Sequence, residues 1–192
     1  MADIKNILLC GVGGQGTILA SKILSVTLVK AGYDVKMSEI HGMSQRGGSV
    51  TTQVRYGKKV YSPIIGKGSA DILVSFEAME ALRYLDVLNP KGIVVVNDYK
   101  KPTATTLSGS ENYPDGVIDY IKTLANTKVL DAAKIANELG NSKVMNIVLL
   151  GALIKMMGIE GLDWEGTMRE NVKPVFLEIN QNALAAGMSS VA

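Results

Sequence analysis

Two segments of this 192-residue chain combine residue types and spacings that suit ligand chemistry. The first is Gly11-Val12-Gly13-Gly14-Gln15-Gly16, directly after the apolar run Ile7-Leu8-Leu9-Cys10. Glycines permit a tight turn and let a ligand approach the backbone, where amides and a helix N-terminus favour phosphate. A G-x-G-x-x-G spacing between a strand and a helix is the setting of a dinucleotide fingerprint. On spacing alone the glycines serve equally to pack a helix closely on a sheet. A nicotinamide or flavin fingerprint also needs an acid at the end of the second strand, and Glu39 is the only candidate.

The second segment is Glu39-Ile40-His41-Gly42-Met43-Ser44-Gln45-Arg46-Gly47-Gly48-Ser49-Val50. It holds the only histidine of the chain, an arginine, a glutamine and three glycines, a composition able to wrap closely round a ligand or partner. Taken alone it reads equally as a polar loop joining two strands. Arg46 then makes an ion pair within the chain and His41 is a satisfied structural histidine. The one cysteine, Cys10, excludes an internal disulfide and suggests a reducing compartment. It cannot supply the four thiolates of an iron–sulfur cluster, and with no activating neighbour it reads as a small core residue. No catalytic or metal-ligating residue is assigned.

The elements that must position these segments follow from periodicity. Residues 7–10 read as a buried parallel strand and Thr17 to Lys30 as a helix with Leu19, Ile23 and Val26 on one face. Strands are expected at 35–38, at 50–56 as a half-exposed alternating strand, at 70–76, at 92–97 and at 128–130. Gly57-Lys58-Lys59 reads as a hairpin turn into Val60-Tyr61. Asn89-Pro90 stops a helix begun at Met79, and Asp115 caps another over residues 118–124. The rest is helical, with breaks near Gly140 and Gly158. Strands alternating with helices predict an α/β, Rossmann-like three-layer fold with a mainly parallel sheet and one inserted β-hairpin, as a single domain over 1–192. The helix over 144–157 is apolar all round, so it is buried on all sides, either within the domain or beneath another chain.

Composition narrows the function classes. An apolar fraction of 47% with 20% charged residues is that of a globular domain, and a net charge of +2 without a Lys/Arg cluster gives no nucleic-acid surface. The N-terminal residues lack the basic and apolar regions of a signal peptide, and no apolar stretch reaches the roughly 20 residues needed to span a bilayer. A soluble, cytoplasmic protein is expected.

Taken together, Gly11 to Gly16 and His41 to Val50 resemble the gamma-type domain of the 2-oxoacid:ferredoxin oxidoreductases, closest to the small subunits of the indolepyruvate type. The resemblance covers nearly the whole chain. It includes Ala70-Asp71, Glu77-Ala78, Glu138-Leu139-Gly140-Asn141, and Asn146 through Leu150-Gly151-Ala152. It implies an oxidative decarboxylation, in which an arylpyruvate and coenzyme A give an acyl-CoA, carbon dioxide and electrons for ferredoxin. Thiamine diphosphate, magnesium and iron–sulfur clusters are expected on a large (alpha) partner subunit, with no cofactor held by this chain alone. In keeping with that division there is no Gly-Asp-Gly thiamine motif; Pro114-Asp115-Gly116 with Asn141 matches only superficially. The resemblance assigns Gly11, Gly13, Gly14, Gln15, Gly16, His41, Gly42, Met43, Ser44, Gln45, Arg46 and Gly47 to the coenzyme A side of the partner's active site. Arg46 would pair with a phosphate and His41 would bond a ligand or the partner. A stand-alone NAD-dependent dehydrogenase using Glu39, and a non-catalytic assembly subunit, are the alternatives.

Overall fold

The computed structural model describes residues 4–41, 47–102 and 104–191. Strand β1 (Lys5–Val12) leads through the glycine turn into helix α1 (Thr17–Lys30), then strands β2 (Asp34–His41) and β3 (Ser49–Gly57). After β4 (Ala70–Ser75) come α2 (Ala78–Arg83), β5 (Leu88–Asn97), the short α3 (Ala104–Leu107), α4 (Val117–Leu124) and β6 (Asn126–Leu130). Helices α5 (Ala132–Glu138), α6 (Met145–Met157), α7 (Trp164–Asn171) and α8 (Leu177–Ser189) complete the chain. The six strands lie in the order β2-β3-β1-β4-β5-β6. β1, β4, β5 and β6 are parallel neighbours, and β3 runs antiparallel to both β1 and β2.

Alternation along the central strands divides the core into two layers, as a sheet covered on both faces requires. Ile7, Leu9, Ile72, Val74 and Val95 point to the face covered by α1, α5, α6, α7 and α8. Leu8, Cys10, Leu73, Val94 and Val96 point to the face covered by α2 and α4. The expected three-layer α/β fold is present. Helix α1 occupies the expected span, but its buried stripe is Ala20, Ile23, Leu24, Thr27 and Leu28, with Val29 exposed.

Four local expectations are corrected. The hairpin is formed by β2 and β3 around the His41 loop, not at Gly57-Lys58-Lys59. Residues 58–69 form no strand and are held by side chains instead. The Asp34 carboxylate accepts from the Val60 N–H (3.0 Å), and the Gln53 side-chain oxygen accepts from the Ile65 N–H (2.6 Å). The Arg55 guanidinium donates to the Ser62 and Ile64 carbonyls. β3 is mostly buried, because it lies between β1 and β2 rather than at an edge. Pro90 falls inside β5, at the register shift between the pairings of Ala70 and Ile72, a place where a residue without an N–H is tolerated. Asp115 does not cap α4: Gly116 takes the N-cap position with φ 69°, and exposed Asp115 pairs with Lys100 at 3.2 Å.

The apolar helix α6 is internal, the first of the two settings that its composition allows. Its outer face meets α8 at two glycines. A Cβ on Gly151 would lie 2.2 Å from the Leu184 carbonyl oxygen, and one on Gly187 would lie 1.9 Å from that of Val148. The helices therefore touch backbone to backbone. Among the described residues no helix is long and apolar enough to cross a membrane.

Two predictions follow from this packing. Gly187→Ala gains about 1 kcal/mol of helix propensity. Forcing the two backbones apart costs about 3 kcal/mol, the upper end for overpacking, so a net loss of roughly 2 kcal/mol is expected. Denaturant unfolding measures it against Gly161→Ala, whose methyl meets nothing and which should stay within about 0.5 kcal/mol. The second concerns Cys10, which is fully buried. Burial pushes its thiol well above the ordinary range, only partly offset by a hydrogen bond with Ser75. Alkylation by iodoacetamide at pH 8 should be negligible in the folded chain and rapid after unfolding; fast labelling of the folded chain would contradict the burial.

Candidate functional site

The glycine turn lies at the C-terminal end of β1, between the pair formed with β3 and the pair formed with β4. Its residues do different work. The Gln15 side chain is buried and folds back: its Oε1 accepts from the Val12 N–H (2.7 Å) and its Nε2 donates to the Phe76 carbonyl (3.0 Å). Gly11 is required by that bond, because a Cβ there would come within 2.9 Å of both Gln15 Oε1 and the Phe76 Cβ. Gly16 has φ 80° and faces Asn146, whose Nδ2 donates to the Gly16 carbonyl at 3.0 Å. Gly14 has φ 97° with open space beyond it, so its backbone conformation rather than crowding demands glycine. Gly13 joins the turn to the end of the His41 loop. Its N–H donates to the Gly48 carbonyl (2.8 Å), and its carbonyl accepts from the Gly47 N–H (3.4 Å) and Lys101 Nζ (3.4 Å).

Of the residues expected to face a ligand, the structure brings Gly13, Gly14, Gly16 and His41 to one open cavity of about 420 Å³. Glu39 lines the same cavity, as do the exposed apolar side chains of Ile18 and Ile40. Gln15 and Gly11 point inward and are explained by the bonds above. Gly47 lies at a separate, smaller hollow on the α2 side of the turn. Gly42, Met43, Ser44, Gln45 and Arg46 lie outside the described residues.

Sequence reasoning missed a buried polar hub beside that smaller hollow. Glu77 is the N-cap of α2 and Glu80 stands three residues on; both are buried. Glu77 accepts from the Glu80 N–H (3.0 Å), the Lys101 N–H (3.3 Å) and the Tyr113 hydroxyl. Burial, then the adjoining Glu77, pushes the Tyr113 phenol above its ordinary value. Glu80 accepts from the Ser49 hydroxyl and from Arg83 Nε (3.1 Å). Two carboxylates at N-cap and N3 spacing signal a helix start in the sequence, but their burial depends on the loops that close over them.

Among the described residues no three His, Cys, Asp or Glu side chains converge, and the single thiol is enclosed in the core.

Residues 6–190 match the family model described as pyruvate ferredoxin/flavodoxin oxidoreductase. The indolepyruvate oxidoreductase subunit IorB of Pyrococcus horikoshii is 38% identical over 96% of this chain and 95% of its own length. Among solved structures, pyruvate oxidoreductase subunit PORC from Thermotoga maritima has the same fold, with a TM-score of 0.73 at 22% identity, covering 97% of this chain and 96% of that one. A 2-oxoglutarate:ferredoxin oxidoreductase from Magnetococcus marinus, solved with 2-oxoglutarate, coenzyme A and succinyl-CoA bound, gives a TM-score of 0.73 at 20% identity. There the likeness covers 98% of this chain and 31% of the larger one. With a family match over nearly its full length and a curated relative at 38% identity, the chain belongs to the pyruvate ferredoxin/flavodoxin oxidoreductase family.

Proposed function

We propose that this chain is the small subunit of a cytoplasmic 2-oxoacid:ferredoxin oxidoreductase of the indolepyruvate type, working only with a large (alpha) subunit. The reaction takes an arylpyruvate and coenzyme A to the arylacetyl-CoA and carbon dioxide, releasing one proton and two electrons that pass to ferredoxin. Thiamine diphosphate with magnesium, and iron–sulfur clusters, supply carbanion stabilisation and single-electron transfer from the partner. This chain's residues shape the approach of coenzyme A. The observation that carries the reading is the shared cavity. Gly13 and Gly14, at the end of β1, and His41, at the end of β2, open onto one space at the C-terminal edge of the sheet, where α/β folds place ligands. Gly14 presents backbone without a side chain, and Ile18 and Ile40 offer apolar surface that a partner would cover.

A second reading rests on Glu39, which lines the same cavity and would hold a ribose if a dinucleotide bound there. Titration with NAD, read by a thermal shift of the isolated chain, tests it; no shift at millimolar NAD removes it.

Two measurements test the principal reading. The isolated chain should show no arylpyruvate- and coenzyme A-dependent reduction of a viologen dye, while the chain assembled with its large subunit turns over. Turnover by the chain alone would refute the subunit assignment. Arg46→Ala in the assembled complex should raise the apparent KM for coenzyme A about tenfold, the scale of one lost charge-assisted phosphate contact, and that for the oxoacid much less. An unchanged coenzyme A dependence would take Arg46 out of phosphate recognition.

A further inference from the structure

The His41 loop leaves β2 and returns to the sheet at Ser49, the first residue of β3. The return end is anchored on two sides. On one, Gly13 and Gly48 are bonded backbone to backbone at 2.8 Å. On the other, the Ser49 hydroxyl bonds the buried Glu80 carboxylate and lies 3.1 Å from the Tyr84 hydroxyl. The proton inventory orders this contact. A carboxylate only accepts, so Ser49 donates to Glu80 and Tyr84 donates to Ser49. The second Glu80 oxygen accepts from Arg83, and the Glu80 N–H is held by Glu77, which also fixes Tyr113 and the Lys101 backbone. Ser49 is thus the point where the loop return is fastened to a carboxylate that cannot move. The Glu80 side chain is only 6% exposed and α2 is bonded at its start.

We propose that Ser49, through Glu80, is a positioning residue that sets the return end of the His41 loop, Gly47 to Ser49, against the glycine turn and thereby tunes coenzyme A recognition. Ser49 touches no reacting atom in this assignment. It acts through the Gly13–Gly48 pairing one residue away, and a loop end released from Glu80 would let that pairing open. The coenzyme A part rests on the proposed function above; the positioning part does not.

The test has two arms. In the full 192-residue chain, amide hydrogen exchange at Gly13 should become roughly tenfold faster in Ser49→Ala and return to wild type in Ser49→Thr, which restores the hydroxyl. The Val95 amide in the interior strand β5 should not change, which separates local release from general loss of stability. In the assembled complex, Ser49→Ala should raise the apparent KM for coenzyme A about tenfold, with a smaller effect on kcat and rescue by Ser49→Thr. Should Ser49→Ala fail to fold, Tyr84→Phe, which removes only the bond to Ser49, should move both readings in the same direction by less. Unchanged Gly13 exchange, or equal effects of Ala and Thr, would overturn the positioning role. Faster exchange with an unaltered KM for coenzyme A would leave the positioning role standing and refute coenzyme A recognition at this site.

Discussion

The C-terminal edge of the sheet is held by side-chain amides that replace the hydrogen bonds the strands can no longer make. The Phe76 carbonyl, just beyond β4, accepts from Gln15 Nε2 (3.0 Å) and from Asn97 Nδ2 (3.2 Å), using both lone pairs. Gln15 accepts in turn from the Val12 N–H, and Asn97 Oδ1 accepts from the Ala132 N–H at 2.9 Å. One relay therefore ties the ends of β1, β4 and β5 to the start of α5. Buried backbone groups without partners are costly, and water does not reach this layer: Asn97 is fully buried and Gln15 nearly so. Among the described residues no buried side-chain nitrogen or oxygen lacks a partner. The glycine turn can stand open towards the cavity because its other side is fixed in this way.

The same economy explains why glycine recurs for unrelated reasons. Gly11 gives room to the Gln15 amide, Gly16 gives room to Asn146, and Gly14 adopts a conformation unfavourable to other residues. Gly151 and Gly187 let two helices meet at the backbone, far from the turn. A glycine pattern that resembles a phosphate loop thus also serves internal packing here, while Gly13, Gly14 and Gly16 line the cavity.

What the sequence disclosed follows from which interactions are local. The strand–turn–helix unit from Lys5 to Lys30 was legible because its apolar run, glycines and helical periodicity lie within one stretch of chain. The run Ile93-Val94-Val95-Val96 announced a buried strand for the same reason. The place of β3 was not legible, since alternation at Val50, Thr52, Val54 and Tyr56 says which residues share a face but not which strands lie alongside. The hairpin expected at Gly57 lost to side-chain bonds from Asp34, Gln53 and Arg55, contacts that span 7 to 26 residues. At the candidate site, Gly13, Gly14 and His41, which residue type and resemblance single out, line one cavity. Gln15 was placed on the ligand side because nothing local reveals that its amide turns back to Phe76, 61 residues away. The Ser49–Glu80 contact, 31 residues apart, was invisible for the same reason.

The position of β3 also separates this turn from the dinucleotide sites it resembles. In the nucleotide-binding arrangement the strand carrying the ribose acid lies directly beside β1. Here β3 is inserted between them, so Glu39 is moved outward by one further strand spacing, about 4.8 Å. The inserted strand is also what brings the His41 loop back to the turn, because its register sets Gly11 opposite Val50 and Val12 opposite Ser49. The loop's return end therefore falls where the second half of a dinucleotide site would otherwise be open. One antiparallel strand thus weakens the geometry for holding a ribose through Glu39 and brings Gly47 and Gly48 against the glycine turn, where both bond to Gly13.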